Sequence, residues 1–174
     1  MKAIRFMSPE VIEYSDIPAP ELKDNEILAE IAYAGFCATD IELLTGEMVH
    51  IKNGNTTYPI IPGHEWSGTV VKVGKDVRDF KPGDLVTSDV SLGCGECEEC
   101  RRGHYNLCPN REVIGSYRNR QGVFAQYVAV PQRHAYKLPE GLSLEEAALA
   151  EPAATAMYAV TKARIPAGAD DQHL

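Results

Sequence analysis

Apolar side chains recur in short stretches along the first three quarters of the chain, at 3–6, 27–33, 68–73, 84–90 and 123–130. These stretches are rich in Val, Ile and Tyr, residues that suit a pleated surface with one buried side, and each predicts a strand. Turn chemistry separates them at Pro18-Ala19-Pro20, Lys23-Asp24-Asn25, Pro62-Gly63 and Lys81-Pro82-Gly83-Asp84. Many short strands punctuated in this way predict a β-barrel or sandwich. Helical pattern comes late. Ser143-Leu144-Glu145-Glu146 is a capping box that opens a helix through Ala150. Pro152 suits a first helical turn, and 153–164 reads as a second helix. A short helix is expected at 39–44, ended by Gly46. No strand pattern follows the second helix, and no internal repeat is present.

Length and charge narrow the classes. A chain of 174 residues supports one sizeable core and is short for two ordinary domains. Apolar residues make up 44%, which predicts a folded globular protein. The net charge of −8 disfavours a nucleic-acid partner, and Arg101-Arg102 is the only short cationic cluster along the sequence. No run approaches the roughly 20 apolar residues of a membrane helix, so no membrane partner is expected. Met1 to Phe6 lacks the apolar core of a secretory signal, which makes the cytoplasm the expected compartment. Thiols stay reduced there, and five cysteines cannot all pair, so clustered cysteines point to metal.

Cys94, Cys97, Cys100 and Cys108 form the most specific pattern, with gaps of two, two and seven residues. Zinc in a structural site takes four ligands tetrahedrally and accepts thiolates well. Two-residue gaps let one segment curl around an ion, and Gly93, Gly95 and Gly103 supply tight bends. The rival is an iron–sulfur cluster, suggested by Cys108-Pro109, but a ferredoxin run has three residues before its last cysteine, not seven. Zinc is therefore expected, in a closed site with no open coordination position. His104 lies inside this lobe, yet four cysteines already fill it.

Cys37 stands apart, in Cys37-Ala38-Thr39-Asp40, and Gly63-His64-Glu65 follows a proline-rich loop. Taken singly, a cysteine is more often a small core residue than a ligand, and a lone histidine is usually structural. The segment Gly63-His64-Glu65-x-x-Gly68-x5-Gly74-x-x-Val77 resembles the zinc signature of the medium-chain alcohol dehydrogenases. Cys37-x-Thr39-Asp40, the four-cysteine lobe and Glu151-Pro152 fall in the same order as in that family. The likeness runs from Met1 to about Ala169 and looks closest to the polyol, threonine and secondary-alcohol branches.

That resemblance implies a mainly β fold: a GroES-like β-barrel with a zinc-bound four-cysteine lobe at 93–109 and two C-terminal helices. It implies a catalytic zinc on Cys37 and His64, with Glu65 and Glu151 each bound directly or through water. Such an ion keeps one position open and lowers the pKa of a bound hydroxyl. Thr39 would pass the hydroxyl proton onward, and Asp40 would orient His64. Two zinc ions per chain, a nicotinamide acceptor (NAD or NADP) and a small alcohol or polyol substrate follow.

Members of the family carry a Rossmann domain after this region, and no G-x-G-x-x-G occurs here. The expectation is thus a catalytic domain at 1–169 with a tail at 170–174, not active alone, in which NAD(P) binds only a full-length form. Apolar Met157, Tyr158 and Val160 on the last helix would then line an exposed cleft face, implying a homo-oligomer or a misplaced final helix. The competing reading is a non-catalytic zinc-binding β module. His50, on a loop that borders the substrate cleft in the family, is read as an exposed loop residue before a proton relay. His134 and His173 carry no motif, and Trp66 reads as core.

Overall fold

The computed structural model describes residues 1–164. Its nine strands are β1 (Lys2–Ser8), β2 (Val11–Asp16), β3 (Glu26–Gly35), β4 (Glu65–Val73), β5 (Leu85–Ser88), β6 (Ser91–Leu92), β7 (Glu112–Val113), β8 (Tyr127–Pro131) and β9 (Ala135–Lys137). Its helices are α1 (Ala38–Thr45), α2 (Val49–Lys52), α3 (Glu98–Arg101), α4 (Leu144–Ala147) and α5 (Ala150–Ala163). Five strands form one antiparallel sheet in the order β8-β3-β4-β5-β9. The pairs β1–β2 and β6–β7 form two smaller antiparallel ladders. The protein is thus mainly β, as the pattern of short punctuated strands predicts.

Alternation on β3, β4 and β8 turns Ile27, Ala29, Trp66, Val70, Val128 and Val130 into one core. Full burial of a Val, Ile or Phe side chain stabilises by roughly 1.5–3 kcal/mol. Trp66, 1% exposed, satisfies its ring N–H on the Ser88 hydroxyl at 3.0 Å. A second, smaller core joins Phe6, Leu43, Met48 and Ile60. It matters for the site, because Leu43 anchors α1 from beneath and Ile60 anchors the loop leading to His64. Phe6 and Ile60 exchange both backbone hydrogen bonds, at 2.8 and 3.0 Å.

Boundaries shift where the backbone is committed elsewhere. The expected strand over 123–130 is a ladder strand only from Tyr127. Upstream, the Val123 and Phe124 N–H groups donate to the carbonyls of Gly63 and Pro62, so this stretch braces the loop before His64. The expected strand over 84–90 shortens to β5, because Asp84 closes a turn on the Lys81 N–H at 3.0 Å. The capping box on Ser143 and Glu146 is present and starts α4, which stops at Ala147. Helix α5 begins at Ala150, earlier than expected, with Pro152 in its first turn. Helix α1 ends on Gly46 at φ 77°, as its sequence predicts. The tail at 170–174 lies outside the described residues, as do residues 165–169. Met157, Tyr158 and Val160 are 67%, 64% and 47% exposed on α5. No helix among the described residues is long and apolar enough to cross a membrane.

Candidate metal centres

Two strand ends and one helix start bring Cys37, His64 and Glu65 together. Cys37 is the N-cap of α1, directly after β3, while His64 and Glu65 open β4. Because β3 and β4 pair with Gly35 opposite Glu65, the last residues of one strand face the first of the other. One ligand atom from each of Cys37, His64 and Glu65 lies within 4.8 Å of the others. His64 and Glu65 are 7% and 9% exposed, and Cys37 is half-buried.

Asp40 ties the two ligand segments. Its carboxylate accepts the Cys37 N–H at 2.9 Å and the Gly63 N–H at 2.9 Å, and its side chain is 1% exposed. A buried carboxylate needs such donors, and here they belong to Cys37 and to Gly63, the residue before His64. The Asp40 Oδ1 atom stands 3.9 Å from Nδ1 of His64, beyond a hydrogen bond. That nitrogen is buried with no hydrogen-bond partner. A thiol, an imidazole and a carboxylate gathered this closely are a donor set that suits a zinc ion.

Two glycines make room for this arrangement. A β-carbon at Gly35 would overlap the Glu65 carboxylate, so only glycine leaves space for that side chain across the ladder. Gly63 has φ 89°, a conformation that glycine adopts without steric cost, and it turns the loop so that His64 enters the site. Phe124 covers that turn and stacks on Phe36 with ring centroids 6.0 Å apart. Thr39, in the first turn of α1, is half-buried two residues from Cys37.

Glu151 sits elsewhere in this arrangement. It lies in the first turn of α5 and lines a cavity of about 660 Å³ with Thr87, Asp89, Tyr136, Leu142 and Tyr158. It is not among the groups that converge within 4.8 Å.

The four cysteines of the lobe do converge within 4.8 Å. Cys94 and Cys100 have sulfurs 4.0 Å apart, close to the about 3.8 Å expected between tetrahedral thiolates at 2.3 Å from zinc. Cys97 caps α3, its sulfur accepting the Cys100 N–H at 3.4 Å, and Cys108 accepts the Cys94 N–H at 3.4 Å. Backbone N–H groups of Glu96 and Cys97 pull the Cys94 thiol down to about 6. Burial, reinforced by the neighbouring thiols, pushes Cys100 up to about 12. Crowded sulfurs cannot all ionise without a cation among them, and a divalent ion removes that conflict. No disulfide joins any of the five cysteines.

Sequence reasoning overlooked what roots this lobe. Arg133 donates to the Cys94 carbonyl at 2.8 Å. His134, fully buried, has the Gly93 carbonyl 3.2 Å from Nε2 and the Asp89 carboxylate 3.1 Å from Nδ1, with Tyr105 edge-on to its ring. The signal is an Arg-His pair 39 to 45 residues away from its partners, which no local pattern reveals. His104 contacts Glu99 at 3.1 Å on the surface and does not join the cysteines. His50 lies in α2 against the Tyr117 ring, and His173 is outside the described residues.

A β framework carrying one closed thiolate cage and one thiol–imidazole–carboxylate cage defines the class of protein. Residues 23–140 match the alcohol dehydrogenase GroES-like domain, and the chain belongs to that family. It is 39% identical to D-arabitol-phosphate dehydrogenase of Enterococcus avium over 92% of this chain and 44% of that protein. It is 33% identical to sorbitol dehydrogenase of Bacillus subtilis over 97% of this chain and 47% of that one. The crystal structure of galactitol-1-phosphate dehydrogenase from Escherichia coli superposes with a TM-score of 0.82 at 33% identity, covering 94% of this chain and 45% of that one. The chain spans about half the length of the curated relatives it matches.

Proposed function

We propose that this chain is the catalytic part of a zinc-dependent, nicotinamide-linked dehydrogenase acting on a small alcohol or polyol. One observation carries the proposal: the Cys37 thiol, the His64 ring and the Glu65 carboxylate converge, one ligand atom of each within 4.8 Å of the others. The polyol dehydrogenases among its relatives, two of them acting on phosphorylated polyols by name, support the substrate class.

A zinc ion bound there supplies Lewis acidity that lowers the pKa of a substrate hydroxyl. Cys37, His64 and Glu65 hold the ion, and Glu151 is a further candidate ligand, directly or through water, on movement of α5. Asp40 fixes the two ligand segments in register and orients His64. Thr39 accepts the proton from the substrate hydroxyl and hands it on, since a hydroxyl both donates and accepts. Phe36 and Phe124 form an apolar wall beside the site. The lobe on Cys94, Cys97, Cys100 and Cys108 holds a second, structural zinc. The catalytic domain spans 1–169 with its lobe at 93–109, and NAD or NADP is bound by a cofactor domain beyond this region. A reducing cytoplasm suits five unpaired thiols, and self-association through the apolar side of α5 suits the exposure of Met157, Tyr158 and Val160.

Metal analysis and turnover test this reading together. Two zinc ions per chain are expected, with Cys37→Ser removing one and Cys94→Ser the other. Hydride transfer from a polyol to NAD or NADP by the protein carrying its cofactor domain should vanish in Cys37→Ser. Two zinc ions without hydride transfer in that form would return the chain to a non-catalytic zinc module.

A further inference from the structure

The segment 48–57 and the turn at 116–119 are fastened together beside the Cys37–His64–Glu65 centre. Thr56 donates its hydroxyl to the Ser116 carbonyl at 2.7 Å. The Asn119 side chain accepts the Thr57 N–H at 2.8 Å and donates to the Thr57 hydroxyl at 2.8 Å. Both segments are bound to the ligand loops. Met48 donates its N–H to the Glu42 carbonyl on α1, and Gly115 packs on the carbonyl of Gly63, one residue before His64.

On this rim three cation-capable groups surround one ring. His50 lies 4.5 Å from the Tyr117 ring centroid, and the guanidinium carbons of Arg111 and Arg118 lie 5.3 and 5.6 Å from it. Among the described residues no carboxylate comes within 4.0 Å of Arg111 or Arg118, whereas Arg5, Arg102 and Arg120 each have one. Arg78, Arg101 and Arg133 share that lack; what sets Arg111 and Arg118 apart is that both guanidiniums lie over one ring. Arg118 and Asn119 hold left-handed backbone at φ 56° and 55°, a conformation that costs energy and persists where surroundings enforce it. Burial, and after it the Arg111 charge, lower the His50 pKa below its ordinary value.

We propose that Arg111, Arg118 and His50, gathered around Tyr117, bind the phosphate monoester of a phosphorylated polyol whose hydroxyl end reaches the Cys37–His64–Glu65 centre. The assignment rests on the dehydrogenase reading and narrows its substrate. Guanidinium forks match phosphate oxygens two at a time, and the Tyr117 face holds both forks in place. His50 adds a third donor, because a dianion beside its ring favours the protonated form.

The test titrates the zinc-loaded protein with a pentitol monophosphate, the same pentitol without phosphate, and inorganic phosphate, by calorimetry. The monophosphate should bind at least about tenfold more tightly than either of the others, the scale of one to two charge-assisted hydrogen bonds. Arg111→Ala with Arg118→Ala should bring that preference close to one, and Arg111→Gln and Arg118→Gln singly serve if the double variant does not fold. His50 ring resonances should move to their protonated positions with the monophosphate and stay in place with the pentitol. Equal binding of the two pentitols, a preference that survives both replacements, or inorganic phosphate binding as tightly as the monophosphate would each overturn the assignment. Oxidation of the plain pentitol with no phosphate preference sinks this site and leaves the dehydrogenase standing. Phosphate-selective binding without hydride transfer by the form carrying the cofactor domain does the reverse.

Discussion

At the scale of single residues, the centre depends on two small facts: an aspartate that serves two loops, and a glycine that yields space. Asp40 accepts N–H groups from both sides of the site. Asp40→Ala should therefore weaken zinc at Cys37–His64–Glu65 by about 10–100-fold while the four-cysteine zinc stays bound, as chelator competition would read. Gly35→Ala places a methyl group where the Glu65 carboxylate lies. We expect a loss of about 1–3 kcal/mol in denaturant unfolding, most of it recovered when Glu65→Ala is added, because the strain belongs to that pair. The four cysteines were legible because their ligands come from one contiguous stretch, so spacing alone encodes the cage. Gly35 was not, since its need comes from a side chain 30 residues away across a ladder. Arg111, Arg118 and Tyr117 were equally silent, because their convergence with His50 exists only after the loops fasten.

At the scale of elements, caps and edges decide how firmly each piece is held. Ser143 accepts the Glu146 N–H at 3.2 Å, and Glu146 in turn accepts the Ser143 N–H at 3.0 Å. Ser143→Ala should cost about 1 kcal/mol, measured by chemical denaturation. The β5–β9 edge carries a pair between Lys137 and Asp84 at 2.9 Å. Burial works to raise the Asp84 pKa, but hydrogen bonds from Lys137 and the Lys81 N–H, with both lysine charges, outweigh it and lower the value. A carboxyl lowered in the fold stabilises above its unfolded pKa, and that stability is lost as pH falls through the folded one. Asp84→Asn should therefore flatten the acid side of the stability profile below about pH 4. Strands with a buried face were readable from alternation. β2 was missed because Val11, Ile12 and Tyr14 stand 49%, 56% and 69% exposed, leaving no buried stripe to detect. β6, β7 and β9 are two or three residues long, too short for any period to register. Helices α1, α4 and α5 were readable through Gly46, Ser143 and Pro152, whose chemistry marks ends and starts without reference to packing, while α2 and α3, four residues each, carried no such signal.

At the scale of the molecule, the metal lobe and the five-stranded core are separate stability units. The core holds together on Ile27, Trp66, Val70 and their neighbours, none of which belongs to the lobe. Chelation of zinc, or Cys100→Ala, should speed amide exchange across 94–108 and leave exchange in β3 and β4 unchanged. The geometry of the lobe's entry and exit carries this further. Leu92 pairs with Glu112, so the chain leaves and re-enters the framework at adjacent rungs of one short ladder. Everything between is a cassette. Replacing 93–111 by a two-residue Asn-Gly turn would close the same hairpin without moving either rung. The framework would forgo the anchors from Arg133 and His134 to Gly93 and Cys94, the Tyr105 ring against His134, the Pro109 carbonyl that Arg118 binds, and Arg111 beside Tyr117. Evolution or an engineer could thus lengthen, shorten or exchange this appendage as a plug-in part, while the chemistry at Cys37 and His64 went on being inherited intact.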